Sequence, residues 1–240
     1  MDKLDIIYED DDLLVVDKPS GLVVFPEKID NEQKAEFLID IILKYRPALK
    51  MVGLAPRYGI IHRLDKETSG LLLIAKNNQS LKLFQEQFQK GTVLKEYIAL
   101  CSGIFSENSG RIESLIGRSP SDRRKQKAYP LYSSQIKGKG RLAITDYYVL
   151  KKMKNYTLIR AIPRTGRKHQ IRCQTAQIGH PIVGDTLYQF KNQTTPTGLK
   201  RQFLHAERLT IEGTDGIKRE FYSPLSADLQ IILNNFQKND

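Results

Sequence analysis

Residues 59–77 read GIIHRLDKETSGLLLIAKN, and no other stretch of the 240-residue chain restricts the fold as tightly. Two apolar runs, Ile60–His62 and Leu71–Ala75, have the length and composition of buried strands. Between them lies the loop Arg63–Gly70, with charged side chains at Arg63, Asp65, Lys66 and Glu67. Charges held next to buried strands are costly unless they face a cleft or pair with one another. Loops carried on a rigid sheet are also where binding and catalytic side chains concentrate. A charged surface turn ending in Thr68-Ser69-Gly70 fits the same pattern, so the residues alone leave both readings open.

Strand-like runs at Ile6–Tyr8 and Leu13–Asp17 open the chain, followed by a turn at Lys18-Pro19-Ser20-Gly21. Glu32 to Tyr45 carries a helical stripe of Phe37, Leu38, Ile41 and Ile42, stopped by Pro47. Asn78 to Lys90 has Leu81, Phe84 and Phe88 on one side and Gly91 as a C-terminal stop. Val93–Cys101, Arg111–Leu115, Ala143–Leu150 and Thr157–Ile162 read as strands. A short helix over His169–Ile178 follows, then a polar loop at Lys191–Lys200. The hairpin Leu204–Ile211/Lys218–Tyr222 and a helix after Ser223-Pro224 close the chain. Strands and helices mix without a βαβ rhythm, so an α+β fold around a large, mostly antiparallel sheet with flanking helices is expected. No repeat or linker composition interrupts residues 1–240, which are read as one domain.

The first 40 residues carry 4 basic and 12 acidic side chains, and the remainder carries 34 and 15. Arg118 to Arg141 alone holds 8 basic residues against one acid, Asp122. A basic face of this kind suits a polyanion, because each neutralised phosphate releases counterions. A generally basic protein with solvated lysines is the plainer alternative. The longest clean apolar run, Leu71–Ala75, is far short of the roughly 20 residues that cross a bilayer. The acidic start MDKLDIIYEDDD lacks the pattern of a secretory signal. Cys101 and Cys173 have neither metal nor redox spacing, so a cytoplasmic protein with reduced thiols is expected.

Two further features could carry chemistry. Pro163–Arg172 (PRTGRKHQIR) is a basic glycine turn running into a helix, whose N-terminal N–H groups attract anions. His169 and Arg172 lie one turn apart and share a helix face. Tyr97, in VLKEYIAL, is by itself an ordinary half-buried strand residue.

Taken together, the motifs resemble the RluA family of pseudouridine synthases. GIIHRLDKETSGLLLIAKN is similar to the family signature, IIYEDDDLLVVDKPSGLVV to its N-terminal strands, and KEYIAL to its tyrosine segment. TGRKHQIRCQTAQIGHPIVGDTLY and FLHAERL resemble its arginine motif and its late strand, in the same order along the chain. Lys168, Cys173-Gln174 and Val24-Phe25-Pro26 depart from the common pattern at positions that bear on substrate preference.

The resemblance implies the family's fold with a central RNA-binding cleft, in a compact member without the appended N-terminal RNA-binding domain. It implies isomerisation of uridine in rRNA or tRNA: the C1′–N1 bond breaks, the uracil turns and a C1′–C5 bond forms. Asp65 is then the catalytic carboxylate, acting as nucleophile at C1′ or as base at C2′. Tyr97 stacks on the flipped base. Arg172 pairs with the carboxylate through its planar fork. Arg63 is expected to help hold the RNA open or to contact phosphate, and Arg167, His169, Gln170 and Leu204 to line the substrate. No metal or other cofactor is needed, and no membrane is involved. A monomer with RNA as its partner is expected. A binding-only relative is the rival reading, and a kinase is excluded by the missing glycine-rich loop and DFG.

Overall fold

The structure is a computed structural model that describes residues 4–27, 36–133, 136 and 139–237. In chain order the elements are β1 (Ile6–Glu9), β2 (Leu13–Lys18), α1 (Leu38–Tyr45), a 3-10 turn (Pro47–Met51), β3 (Ser69–Ala75) and α2 (Asn78–Lys90). Then come β4 (Leu94–Ser102), β5 (Ser109–Arg118), β6 (Gln126–Tyr129), β7 (Arg141–Met153), β8 (Tyr156–Pro163) and α3 (Gln170–Gln177). β9 (Leu204–Glu212), β10 (Lys218–Tyr222) and α4 (Ala227–Gln237) complete it. The described residues form two compact units, one of residues 1–94 and 206–224 and one of 95–205 and 225–240.

In the first unit β1 pairs β2, β2 pairs β3 and β9 pairs β10, all antiparallel. Leu13–Val16 and Leu71–Ala75 are buried along their whole length, which is why both read as unbroken apolar runs. α2 begins on Asn77, whose side chain accepts from the Ser80 N–H, and ends on Gly91 in the left-handed conformation at φ 73°. The expected helix from Glu32 falls partly on residues 28–35, outside the described residues. Its described part starts only at Leu38, where the Asp40 carboxylate accepts from the Phe37 N–H at 3.0 Å.

The second unit orders its strands β4-β8-β7-β5-β6, again antiparallel throughout. Its core gathers Ile98–Cys101 from β4, Ile159 and Ala161 from β8, Ile182, Val183 and Phe203 from loops, and Leu229 and Ile232 from α4. The α+β class with an antiparallel sheet is therefore as expected, while some boundaries differ. β5 and β7 run longer than their apolar centres. The short strand β6, inside the basic stretch, went unread because Gln126 and Lys127 carry no apolar signal.

Ile60–His62 is not a strand. Ile60 makes a single bridge to Ile74, and His62 Nε2 accepts the Leu73 N–H at 3.1 Å. A side-chain nitrogen has taken the place of a ladder carbonyl, so pairing stops there.

Candidate active site

In the first unit the loop Arg63–Gly70 is positioned by main-chain bonds. β2 and β3 register so that Lys18 lies opposite Gly70, at the mouth of the loop. Lys18 is fully buried, and its ammonium donates to the carbonyls of Pro19 (2.6 Å), Leu22 (2.8 Å) and Lys66 (3.0 Å). Burying a lysine is tolerable only with its donors satisfied, and here it clasps the Lys18–Gly21 turn to the loop. The Gly21 N–H donates to the same Lys66 carbonyl at 2.9 Å, and the Thr68 N–H closes the turn on the Asp65 carbonyl at 3.1 Å. Thr68 and Ser69 are buried; Asp65 itself stays half-buried at the turn.

His62 is half-buried just before the loop. Its Nε2 is an acceptor, so the proton resides on Nδ1, and its ring stacks on Phe88 at 4.9 Å. Arg63 meets Glu27 at 3.3 Å and lies 5.4 Å from the centroid of the Phe25 ring, over which Arg57 also sits at 4.8 Å. The Arg63 Nε is buried and finds no acceptor among the described residues.

In the second unit, Tyr97 stands half-buried on β4 opposite Ala161 of β8. Lys95, two residues earlier on the same face of the strand, is buried, and burial pushes its ammonium down to about 8. His169 opens α3 in the left-handed conformation at φ 56°, and its Nδ1 shares a hydrogen bond with the Tyr188 hydroxyl at 2.9 Å. Burial also raises the Tyr188 hydroxyl. Arg167 donates through Nε to the Leu142 carbonyl at 3.0 Å, and burial, with Arg141 nearby, lowers its guanidinium.

Gln170 and Leu204, two of the residues expected to line the substrate, are buried. The Gln170 carbonyl accepts from Thr165 Oγ1 (2.7 Å) and Arg167 N–H (3.0 Å), and its amide donates to the Ile144 carbonyl (3.0 Å) and Thr145 Oγ1 (2.9 Å). An amide has two donors and two lone pairs, so all of its capacity goes to tying the glycine turn to β7. Leu204 is packed in the core cluster. The Gln170 N–H also turns to the Arg167 carbonyl at 3.1 Å, so the start of α3 bonds first to its own backbone.

Arg172 is buried, and Asp185 grips it side-on: Nε to Oδ2 at 2.7 Å and Nη2 to Oδ1 at 2.9 Å. Tyr188 places its ring 5.1 Å from the same guanidinium. Lys18, Asp185 and Tyr188 escaped the sequence reading. Each lies inside a segment already recognised (DKPSG and IVGDTLY), but spacing gives no sign of their partners.

The sequence family described as RNA pseudouridylate synthase matches residues 12–177. An uncharacterized RNA pseudouridine synthase of Aquifex aeolicus is 39% identical over 198 residues, covering 82% of this chain and 59% of its own length. The ribosomal large subunit pseudouridine synthase D of Haemophilus ducreyi is 35% identical, covering 94% and 68%. The chain thus spans between about three-fifths and two-thirds of these two relatives. Human RNA pseudouridylate synthase domain containing 4 superposes with a TM-score of 0.76 over 97% of this chain and 93% of its own, at 23% identity, which shows a shared fold. No helix among the described residues is long and apolar enough to cross a membrane.

Proposed function

The chain belongs to the RNA pseudouridylate synthase family, and we propose that it isomerises uridine to pseudouridine in structured RNA with Asp65 as its catalytic carboxylate. The observation that carries this is the Asp65 turn. Its main chain is locked by Lys18, Gly21 and Thr68, while the carboxylate-bearing residue stays half-buried rather than sealed in the core. A preorganised charged group of this kind meets its substrate without first rearranging.

The uridine leaves its stack at a cost of a few kcal/mol, least in loops and irregular regions. Tyr97 stacks on the freed base, an interaction worth roughly 1–3 kcal/mol. Asp65 acts at the sugar, as nucleophile at C1′ or as base at C2′. The C1′–N1 bond breaks, the uracil turns, C1′–C5 forms, and the hydrogen displaced from C5 is balanced by one gained at N1. Arg172 supplies the guanidinium that the family resemblance assigns to the reaction. Arg63 contacts the RNA near the flipped base, and its buried Nε, which lacks an acceptor among the described residues, supports that role. Arg167 and His169 reach the RNA backbone, while Gln170 and Leu204 hold the frame.

The proposed reaction transfers neither electrons nor phosphoryl groups, and the reading takes the protein as a cytoplasmic monomer that uses no metal or other cofactor. Both compact units make up its catalytic domain. The Haemophilus relative's name points to ribosomal RNA of the large subunit as the first substrate to test.

The test is to incubate wild type and Asp65→Asn with total rRNA and tRNA and to map pseudouridine by chemical labelling. The variant is expected to lose activity by a factor on the order of 10²–10⁴ with RNA affinity retained. Equal pseudouridine from the two proteins ends the assignment of Asp65. Product in tRNA alone ends the choice of substrate but not that of the carboxylate.

A further inference from the structure

The Arg172 guanidinium is held by a carboxylate of its own unit, Asp185. Asp185 is completely buried, and four donors converge on it: Arg172 Nε (2.7 Å), Arg172 Nη2 (2.9 Å), Leu187 N–H (3.0 Å) and Tyr188 N–H (3.3 Å). Two of the four come from its own following turn, so the carboxylate is fixed before it meets the arginine. The fork occupies one edge of the guanidinium. Arginine carries five N–H donors in a rigid plane, so seating one edge also fixes the direction of the other. Tyr188 completes the seat. Its ring lies against the guanidinium, while its hydroxyl bonds the backbone N–H of Gln126 (2.8 Å) and His169 Nδ1 (2.9 Å).

We propose that Asp185 is a positioning residue of the reaction: it orients the Arg172 guanidinium and balances its charge, so that the opposite edge of the guanidinium points in one fixed direction. The inference rests on the role given to Arg172 above. Its physical basis is the cost of the alternatives. A buried guanidinium without a counter-charge is strongly unfavourable, and one with a loose partner samples several directions. A misplacement of about 1 Å at such a group can cost on the order of 10²-fold in rate. Asp185 is therefore expected to act on turnover and not on RNA affinity.

A double-variant cycle in the full chain separates this from a purely structural role. Asp185→Asn keeps the shape but cannot accept both arms of the fork; Asp185→Glu keeps the charge but displaces it. In each, kcat on an rRNA substrate is expected to fall roughly 10- to 100-fold with KM within about threefold. In an Arg172→Lys background, which already lacks the fork, adding Asp185→Asn should cost less than about threefold further. If the two losses multiply, or if Asp185→Glu turns over like wild type, the positioning role is wrong. Should Asp185→Asn fail to fold, the Asp185→Glu and Arg172→Lys/Asp185→Glu pair decides by the same criterion. Asp65→Asn run alongside distinguishes the failures. An active Asp65→Asn sinks the functional reading itself, whereas an inactive one with multiplicative losses sinks only the role of Asp185.

Discussion

The Asp65 loop and the Arg172 helix are held in contrasting ways. Around Asp65 the bonds belong to the main chain: the carbonyls of Pro19, Leu22 and Lys66 around one ammonium, and the N–H groups of Gly21 and Thr68. At Gly59 and Gly70 the chain runs too close to the backbone of Ala75 and Ala206 for any side chain. Around Arg172 the bonds belong to side chains. Gln170, Gln174 and Arg172 are buried and hydrogen-bonded to Thr145, Thr165, Ser114 and Asp185. A backbone-held loop fixes where a side chain starts without using the side chain itself as the brace. A side-chain-held helix fixes the functional tips themselves, at the risk that losing one partner orphans a buried polar group.

The contrast breaks most sharply at Gly70. It has φ +111°, and a Cβ there would collide with the Ala206 carbonyl oxygen and lie 2.7 Å from the Ala206 nitrogen. Backbone cannot yield as a flexible side chain can. Gly70→Ala is expected to destabilise the protein by about 2–4 kcal/mol, read as a lower denaturant midpoint. A midpoint equal to wild type would mean that the loop is not backbone-limited.

At the other site the corresponding change is Gln174→Leu. The Gln174 amide donates to the carbonyls of Ile112 (3.0 Å) and Ala143 (3.1 Å) and to Ser114 Oγ (3.0 Å), and its oxygen accepts from Thr145 Oγ1 (2.6 Å). Leucine fills the space and strands these groups, at a cost of about 1–3 kcal/mol. Stability unchanged within about 0.5 kcal/mol would show that α3 is held by its apolar contacts instead.

The same contrast explains what could be read in advance. The Asp65 region announces itself locally: an unbroken apolar strand, a charged loop, glycines, all within 19 residues. The resemblance then singled out Asp65 within that loop. Lys18 was invisible there because its three acceptors are carbonyls, which every residue has. His62, expected within a strand, ends the ladder by lending it a ring nitrogen, and no periodicity encodes that. Around Arg172 the decisive partners lie 13 to 62 residues away, at Asp185, Thr145, Ser114 and Ile112. Gln170 makes four internal hydrogen bonds, to partners up to 26 residues away, that no spacing encodes.

The smallest expected effect concerns charge that neither region consumes. In the basic stretch of the second unit, Asp122 neutralises Arg124 at 2.8 Å. Arg118 at the end of β5, Arg123 in the turn and Lys127 on β6 are all exposed, and Lys127 rests over the Tyr129 ring at 4.9 Å. None of the three braces the fold through an ion pair among the described residues, so their replacement should leave stability near wild type. If they face RNA phosphates, each contact contributes roughly 0.7–0.9 to the slope of log affinity against log salt. The triple variant Arg118→Gln/Arg123→Gln/Lys127→Gln is then expected to flatten that slope by about 2, with kcat at saturating RNA unchanged. An unaltered slope would mark the stretch as a solvated rim and move the search for phosphate contacts to Arg57 and Arg63, on the unit that carries Asp65. A slope that flattens while kcat also falls would instead tie this rim to the orientation of α3 through the Gln126–Tyr188 bond.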